Sequence, residues 1–269
     1  MNTPLKFAIA GAAGRMGRQL ISAAIASSHH VSGGTEQKSS PDFASDLGIL
    51  AGLPALGRTP SDAAGQAASG AQVWVDFTRP DATLAALADL ADTPVTAVII
   101  GTTGFTEAQL ASINSFSSRY AIVQAGNFSL GIALMTRLTE MAASHLGEGW
   151  DVEILETHHK HKVDAPSGTA LMLGDAAASG RGAKLETLRQ APYDGPDAKR
   201  EAGKIGFSVR RSGGVIGDHE VSLTSDFERI SISHSALDRR VFADGAIKAG
   251  EWAAEQAPGL YTIHDVLGL

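Results

Sequence analysis

Residues able to carry chemistry are concentrated in one short run, ETHHKHKVDAPSGTA (156–170), within a chain whose net charge is −7. Histidine and lysine side chains attract anions and exchange protons with bound molecules. The small residues that follow predict the start of a helix, with Asp164 as its cap and Pro166 in its first turn. Backbone amides at a helix start attract anions as well. The run therefore predicts a site for a small anion bearing carboxylates, with proton donors beside it; the amides in question belong to Ser167, Gly168 and Thr169.

Three other interpretations of this run stay open. Lysines protect exposed strand edges, so a solvated basic edge strand would explain the charge without chemistry. His159 and His161 could hold a metal, although no carboxylate partner is local. A phosphate-binding loop is the third, although the spacing of a Walker motif is absent.

If a strand ending near His158 keeps its alternation, His158, Lys160 and Lys162 share one side.

A second motif, GAAGRMG (11–17), lies between the first predicted strand and the first predicted helix. Gly11 permits a tight turn, while Gly14 and Gly17 permit close approach of backbone and helix. The amides at that helix start would hold a pyrophosphate. Ala13 replaces the middle glycine of the usual pattern, and a plain strand–helix turn is the alternative.

Glu36 follows about 20 residues further on, where an acidic side chain binds the ribose hydroxyls of a dinucleotide; an ordinary surface glutamate is the alternative. Gln37 comes next, and it cannot pair with a 2′-phosphate. Lys38 or Arg15 could supply the cation that such a phosphate needs. The sequence therefore predicts that NADH is usable and leaves NADPH open.

Two further turns follow predicted strands, GTTG (101–104) and AGNF (125–128). Parallel sheets bind ligands outside the carboxyl ends of their strands, so these turns could flank a nicotinamide ribose. Ordinary loop chemistry is the alternative for both.

The elements that must position these motifs alternate between strand and helix in the first half. Strands are predicted at 5–11, 31–36, 73–78, 94–104 and 120–127, and helices at 17–27, 80–91 and 106–117. Such alternation predicts an α/β fold with a mostly parallel sheet. Residues 38–72 give no clear pattern.

The pattern changes after Asn127. Helices are predicted at 129–146, 167–179 and 238–256, with a strand at 150–159 and a long loop at 181–204. The segments 206–214, 218–226 and 228–237 alternate like antiparallel strands. This predicts a second, α+β domain, after which the last residues return to the first domain.

Composition narrows the class of protein. Hydrophobic residues make up 43% and charged residues 19%, as in ordinary globular proteins. No apolar run reaches the length of a membrane span, and the N-terminus lacks a signal-peptide layout. The acidic balance argues against nucleic-acid binding. The absence of cysteine excludes disulfides and thiol nucleophiles and fits a cytoplasmic location.

Five segments together resemble the 4-hydroxy-tetrahydrodipicolinate reductase (dihydrodipicolinate reductase) family of bacterial lysine and diaminopimelate synthesis. They are GAAGRMGRQL, VDFTRPDATL, VIIGTTGF, AGNFSLG and ETHHKHKVDAPSGTA. The resemblance spans nearly the whole chain. It implies a Rossmann-type dinucleotide-binding domain (1–127 and 239–269) and a smaller α+β domain with a mixed sheet (128–238), which binds substrate and builds a homotetramer.

The resemblance also implies roles. His158 and Lys162 correspond to the family's proton donors. His159, with Ser167, Gly168 and Thr169, corresponds to its contacts with the substrate carboxylates. The cofactor contacts correspond to Gly11, Ala12, Ala13, Gly14, Arg15, Met16, Glu36, Gln37, Gly101, Thr102, Thr103, Ala125, Gly126, Asn127 and Phe128. No metal is implied. Many members carry arginine where Gln37 stands, which weakens the expectation of NADPH preference.

The implied activity is NAD(P)H-dependent reduction of a cyclic dicarboxylate with loss of water, with domain closure bringing 156–170 over the nicotinamide. Two other functions remain open. A different nicotinamide enzyme, such as an amino-acid or semialdehyde dehydrogenase, shares the glycine turn but does not need the histidine run. A non-catalytic nucleotide sensor would tolerate losing His158 and Lys162.

Overall fold

The computed structural model describes residues 3–269, which fall into two compact units. The first unit comprises the described residues through Ser129 together with Arg240–Gly268. The second comprises Leu130–Arg239. Met1 and Asn2, which the sequence assigns to the first domain, lie outside the described residues. Across 3–269 no helix is long and apolar enough to cross a membrane.

The strands and helices are numbered in chain order. The strands are β1 (Lys6–Ile9), β2 (His30–Gly34), β3 (Val73–Asp76), β4 (Ala97–Ile100), β5 (Ala121–Gln124), β6 (Asp151–His158), β7 (Ile205–Arg211), β8 (Asp218–Thr224), β9 (Arg229–Ser235) and β10 (Gly259–Tyr261). The helices are α1 (Arg15–Ala26), α2 (Leu47–Leu50), α3 (Ala64–Ala67), α4 (Pro80–Asp89), α5 (Glu107–Phe116), α6 (Leu130–Leu146), α7 (Gly168–Gly180), α8 (Leu185–Leu188), α9 (Arg240–Ala253) and α10 (Ile263–Leu267). A single 3-10 turn, Leu90–Asp92, follows α4.

The first unit contains a six-stranded parallel sheet in the order β10-β5-β4-β3-β1-β2. Strands β3 and β4 are buried along their whole length, as expected for apolar strands with helices on both faces. The chain proceeds from β1 to β2 in one direction and from β3 to β10 in the other. The sheet thus has a switch point between β1 and β3, where open α/β sheets bind ligands. The predicted α/β fold of Rossmann type is confirmed.

The stretch that the sequence left unassigned, 38–72, is ordered around one carboxylate. Asp46 precedes α2 and accepts hydrogen bonds from the amides of Gly48, Ile49, Leu56 and Arg58. These bonds, led by that of Leu56, lower the pKa of Asp46 to about 2. One aspartate thus ties residues 46–58 together in a segment that has no periodic pattern.

The second unit contains a four-stranded sheet in the order β7-β6-β8-β9. Strand β6 pairs antiparallel with β8, and β8 antiparallel with β9. The prediction of three antiparallel strands was wrong for β7, which pairs parallel with β6 and not with β8. The chain reaches β7 from β6 through α7, and such a crossover returns the next strand in the same direction. The predicted loop at 181–204 contains the single helical turn α8.

Candidate active site

An open cleft of about 1230 Å³ lies at the carboxyl ends of β1, β2 and β3, beside the switch point of the first unit. Its walls come from the turns that follow these strands and from one face of α4. The residues lining it are Gly11, Gly14, Thr35, Glu36, Gln37, Lys38, Asp62, Ala63, Ala64, Phe77, Thr78, Arg79, Ala82, Ala85, Ala86, Ala88 and Asp89. The cleft has the size and position that a dinucleotide requires.

The glycine turn is built for close backbone approach. Gly11 has a φ of +62°, a conformation that glycine adopts without strain. A Cβ placed on Gly17 would lie 2.2 Å from the carbonyl oxygen of Gly11. Gly14 caps α1 without any side-chain hydrogen bond, so the first amides of the helix can bind an anion. Arg15 and Met16 begin that helix, and Ala12 is buried beneath the turn.

Glu36 lies against the same turn. Its Oε2 accepts a hydrogen bond from the amide of Ala13 at 3.3 Å, and its Oε1 accepts one from the amide of Gln37 at 2.9 Å. Each carboxylate oxygen keeps a further lone pair, so Glu36 can still accept ribose hydroxyls. Gln37 is exposed at the cleft. Lys38 is paired with Asp62, and the Lys38 ammonium lowers the pKa of Asp62.

The turns after β4 and β5 do not line this cleft. A Cβ on Gly101 would lie 2.0 Å from the ring of Phe77, and that ring packs against Phe128 at 5.3 Å between centroids. Thr102 is buried, and its hydroxyl donates to Asp76 at 3.2 Å. The remaining predicted residues of these turns lie at or near the surface: Thr103, Ala125, Gly126 and Asn127.

Sequence reasoning missed several polar residues that line the cleft, Thr35 and Asp89 among them. Asp62, Thr78 and Arg79 line the cleft, and the last two follow β3 at the same sheet edge as the glycine turn. Buried Asp76 holds this turn because its Oδ1 accepts from the amide and the hydroxyl of Thr78. The position of Thr78 and Arg79 after a buried strand was a signal that could have found them. Asp62 had none, because it lies in the patternless stretch.

In the second unit, the basic run begins on β6 and ends on α7. Strand β6 stops at His158, so the alternation predicted for Lys160 and Lys162 does not continue. The helix begins at Gly168 and is capped by Ser167, whose hydroxyl accepts from the amide of Ala170 at 3.1 Å. The prediction of Asp164 as the cap and Pro166 in the first turn was therefore wrong. Ser167 directly precedes the helix, and its hydroxyl accepts from the third helical residue, as an N-cap side chain does.

The centre of this region is the carboxylate of Glu156, which is 1% exposed. It accepts hydrogen bonds from both terminal nitrogens of Arg211, from the amide of Ser167 and from Nδ1 of His158. Burial alone would raise the pKa of Glu156, but the bonds from Arg211, His158 and Ser167 outweigh it and lower that pKa. Glu156 and Arg211 thus form an ion pair, and the buried carboxylate is fully hydrogen-bonded, as a buried charge must be.

Two histidines pack beside this carboxylate. The rings of His158 and His219 meet edge to face with 5.1 Å between centroids. Nε2 of His219 lies 3.2 Å from the hydroxyl of Ser167. Burial, followed by the charge of His158, lowers the pKa of His219 to about 4, so it is neutral at physiological pH. No local pattern in the sequence points to Arg211 or His219, because they lie on other strands, β7 and β8.

The other predicted residues surround this network. Lys162 forms an ion pair with Asp164 at 2.8 Å, which lowers the pKa of Asp164. Partial burial, together with the charge of Arg239, lowers the pKa of His159, so that its imidazole is neutral and able to accept or donate a hydrogen bond. Gly168, the first residue of α7, is exposed, and Thr169 is half-buried.

Residues that could bind a metal ion do not form a cluster in the described part of the chain. Among residues 3–269 no cluster of three or more histidine, aspartate or glutamate side chains could hold an ion. The rings of His159 and His161 are 6.4 Å apart between centroids. The geometry combines a cleft of dinucleotide size in one unit with an exposed helix start beside a buried carboxylate and two histidines in the other.

Known proteins match both units. The family model described as dihydrodipicolinate reductase, N-terminus, matches residues 5–128, and the one described as dihydrodipicolinate reductase, C-terminus, matches residues 131–267. A 4-hydroxy-tetrahydrodipicolinate reductase of Rhodopseudomonas palustris is 46% identical over 266 residues, covering 98% of each chain. One from Dinoroseobacter shibae is 44% identical over 262 residues, covering 97% of each chain.

A solved structure shares the fold. The dipicolinate-bound dihydrodipicolinate reductase from Paenisporosarcina sp. TG-14 superposes with a TM-score of 0.76 at 22% identity. The alignment covers 97% of this chain and 98% of that one. The arrangement of a parallel sheet followed by a mixed sheet is therefore found in an experimentally determined reductase.

Proposed function

This chain belongs to the dihydrodipicolinate reductase family, and from that premise we propose the reaction it catalyses. It is a nicotinamide-dependent oxidoreductase of L-lysine biosynthesis by the diaminopimelate route. It reduces (2S,4S)-4-hydroxy-2,3,4,5-tetrahydrodipicolinate to (S)-2,3,4,5-tetrahydrodipicolinate, with loss of water, at the expense of NADH or NADPH. The observation that carries this is His158, hydrogen-bonded to a buried carboxylate next to the start of α7.

The first unit would hold the dinucleotide. The amides that begin α1, at Arg15 and Met16, suit its pyrophosphate, and Glu36 suits the adenine ribose. The group fits because glycine at 11, 14 and 17 lets the turn pack tightly on itself and on the helix start, so that the first amides of α1 are presented at the cleft. When bound, the reduced nicotinamide supplies a hydride. We assign the turns at 101–103 and 125–128 to the nicotinamide end, which rests on the family resemblance.

The second unit would hold the dicarboxylate. Gly168 lies exposed at the N-terminus of a 13-residue helix, where the amides and the helix dipole favour a carboxylate. Neutral His159 can add a hydrogen bond, and Thr169 a hydroxyl. Ser167 supports this site indirectly, because its amide and its hydroxyl are both engaged within the protein. Orientation of this kind can supply several kcal/mol of the barrier reduction.

We assign proton transfer to His158 and Lys162. After water has left the ring, a conjugated double bond accepts the hydride and the ring carbons gain negative charge. His158 or Lys162 returns a proton, so the product does not persist as an anion. Nζ of Lys162 lies 2.8 Å from Oδ1 of Asp164, and this ion pair orients the lysine side chain.

A coupled assay tests the proposal. The aldol product of pyruvate and aspartate semialdehyde is generated in situ by the preceding enzyme, and oxidation of NADH and NADPH is followed by absorbance. Oxidation that requires all components supports the assignment. No oxidation with either cofactor rejects it.

We also propose that the second unit assembles a homotetramer in the cytoplasm, as the family resemblance implies. Strand β9 is an exposed sheet edge, and Phe227, Ile230 and Leu237 near it are exposed apolar side chains. Such edges and side chains are commonly covered in assemblies. Light scattering after size exclusion gives the mass, and a monomer in solution contradicts the proposal.

A further inference from the structure

Glu156 lies at the meeting point of three strands. On β6, Glu156 lies opposite His219 of the neighbouring strand β8. His158, two residues further along β6, lies opposite Arg211 of β7. Alternation along β6 turns Glu156 and His158 to the same buried face. Burying an ionised carboxylate costs free energy unless hydrogen bonds occupy its lone pairs. The buried position of Glu156 therefore needs an explanation.

Each oxygen of Glu156 accepts two hydrogen bonds. Oε1 accepts from the amide of Ser167 at 3.0 Å and from Arg211 at 3.0 Å. Oε2 accepts from Nδ1 of His158 at 2.6 Å and from Arg211 at 2.7 Å. An ionised carboxylate only accepts, so the proton in the contact with His158 belongs to Nδ1.

This leaves Nε2 as the nitrogen of His158 that can exchange a proton. A Cβ placed on Gly217 would lie 3.0 Å from that atom, so a larger residue there would crowd it. The edge contact with His219 restricts rotation of the His158 ring from another side. The His158 ring is therefore held in one orientation. Its Nδ1 is hydrogen-bonded to Glu156, and its Nε2 is available for proton exchange.

We propose that Glu156 is a positioning residue for the reaction, which fixes His158 in its Nδ1-protonated form and reserves Nε2 for proton exchange. Through the Ser167 amide, the same carboxylate anchors the N-cap of α7. It thereby sets the separation between the proton donor and the helix start assigned to the substrate carboxylate. This rests on the proposed function. Arg211 holds Glu156 in register by its paired hydrogen bonds.

The competing explanation is that Glu156 only stabilises the fold. A purely structural role would lower the stability of Glu156→Gln without changing the proton position on His158 or the turnover number of the folded protein. The two explanations therefore differ in a spectroscopic and a kinetic readout.

The first experiment is nitrogen-15 NMR of the full chain labelled at histidine, recorded at alkaline pH and assigned with His158→Gln. His158 protonated at Nδ1 in the wild type, with protonation moving toward Nε2 in Glu156→Gln, supports the proposal. Protonation at Nε2 alone in the wild type, or an unchanged Nδ1 proton in folded Glu156→Gln, overturns it. The wild-type spectrum can therefore overturn the proposal even where Glu156→Gln fails to fold. It is also independent of the reductase assay, in which absent cofactor oxidation would reject the proposed function instead.

The second experiment is steady-state kinetics of Glu156→Gln. We expect kcat to fall about 100-fold or more, as when a histidine loses its orienting carboxylate, with KM for the dicarboxylate and Kd for NADH within threefold. Glu153→Gln is the matched control: Glu153 lies on the same strand and contacts Arg200 and Tyr193, and kcat should stay within twofold. A folded Glu156→Gln protein with wild-type kcat overturns the proposal.

Discussion

The ammonium of Lys38 forms an ion pair with the carboxylate of Asp62, with 2.6 Å between Nζ and Oδ2, at the wall of the dinucleotide cleft. Lys38 stands two residues after Glu36, where a cation would meet a 2′-phosphate. Its charge is already offset by Asp62. The pair therefore bears directly on the choice between NADH and NADPH.

Replacing Asp62 with asparagine should release this lysine. We expect Asp62→Asn to raise the ratio of kcat/KM for NADPH to that for NADH by roughly threefold to tenfold, because a 2′-phosphate then meets an unpaired cation. The double variant Asp62→Asn, Lys38→Met is the control, and it should lose the gain. An unchanged ratio in the single variant would show that the pair does not read the phosphate.

Gln37 offers a second route to the same selectivity. Gln37→Arg places a guanidinium beside Glu36, and we expect relative use of NADPH to improve by about tenfold. The measurement is again the ratio of kcat/KM for the two cofactors, now compared with Gln37→Met, which adds no charge. Equal ratios in both variants would assign the 2′ position to other residues.

His158→Ala and Lys162→Ala should each reduce turnover by about 10²-fold to 10⁴-fold, the range typical of losing a general acid or base. NADH binding should be preserved, because neither side chain belongs to the first unit. We expect strongly reduced turnover together with a wild-type Kd for NADH, measured by fluorescence titration. Full activity in both variants contradicts the assigned roles.

Gly17→Ala should disable the glycine turn. The new Cβ would lie 2.2 Å from the Gly11 carbonyl oxygen, so the turn must move, at a cost of about 1–3 kcal/mol of unfolding free energy. NADH affinity should fall with it. Gly70→Ala is the matched control in the same unit, since only the Cβ of Ser32 lies within 4 Å, at 3.9 Å. Equal NADH affinity in the two variants would remove the turn from the cofactor site.

Stability should depend on pH through His219. Its pKa is lowered by burial from 6.5 to about 4, so the unfolded chain takes up a proton before the folded protein does. The stability that neutral His219 contributes is complete above pH 6.5 and is lost progressively as pH falls toward 4. Between pH 7.5 and pH 5 this amounts to about 2 kcal/mol.

Urea unfolding of the wild type and of His219→Asn at these two pH values measures this loss. The difference in unfolding free energy between pH 7.5 and pH 5 should be smaller in the variant by that amount. Parallel pH dependence in the two proteins would mean that His219 does not remain neutral in the folded state.

Much of this protein could be predicted from local pattern alone. Alternating strands and helices indicate a parallel sheet because apolar period and glycine position report burial and turns over a few residues. The turn 11–17 and the run 156–170 carry their chemistry within short segments, so they indicate a cofactor cleft and an anion site. The same reasoning placed the helix cap at Asp164 instead of Ser167 and took β7 as antiparallel, since both depend on how the chain returns to the sheet.

Only the tertiary structure decided which distant groups complete these sites. Arg211 lies 55 residues from Glu156, and Ser167 lies 52 residues from His219, yet both pairs are in hydrogen-bond contact. Strand register and the crossover through α7 bring them together. A buried carboxylate selects its partners by geometry in a water-poor interior, and no residue spacing in the chain encodes that geometry. The sequence determined which proton donors and turns are present; folding determined which atoms hold them in place.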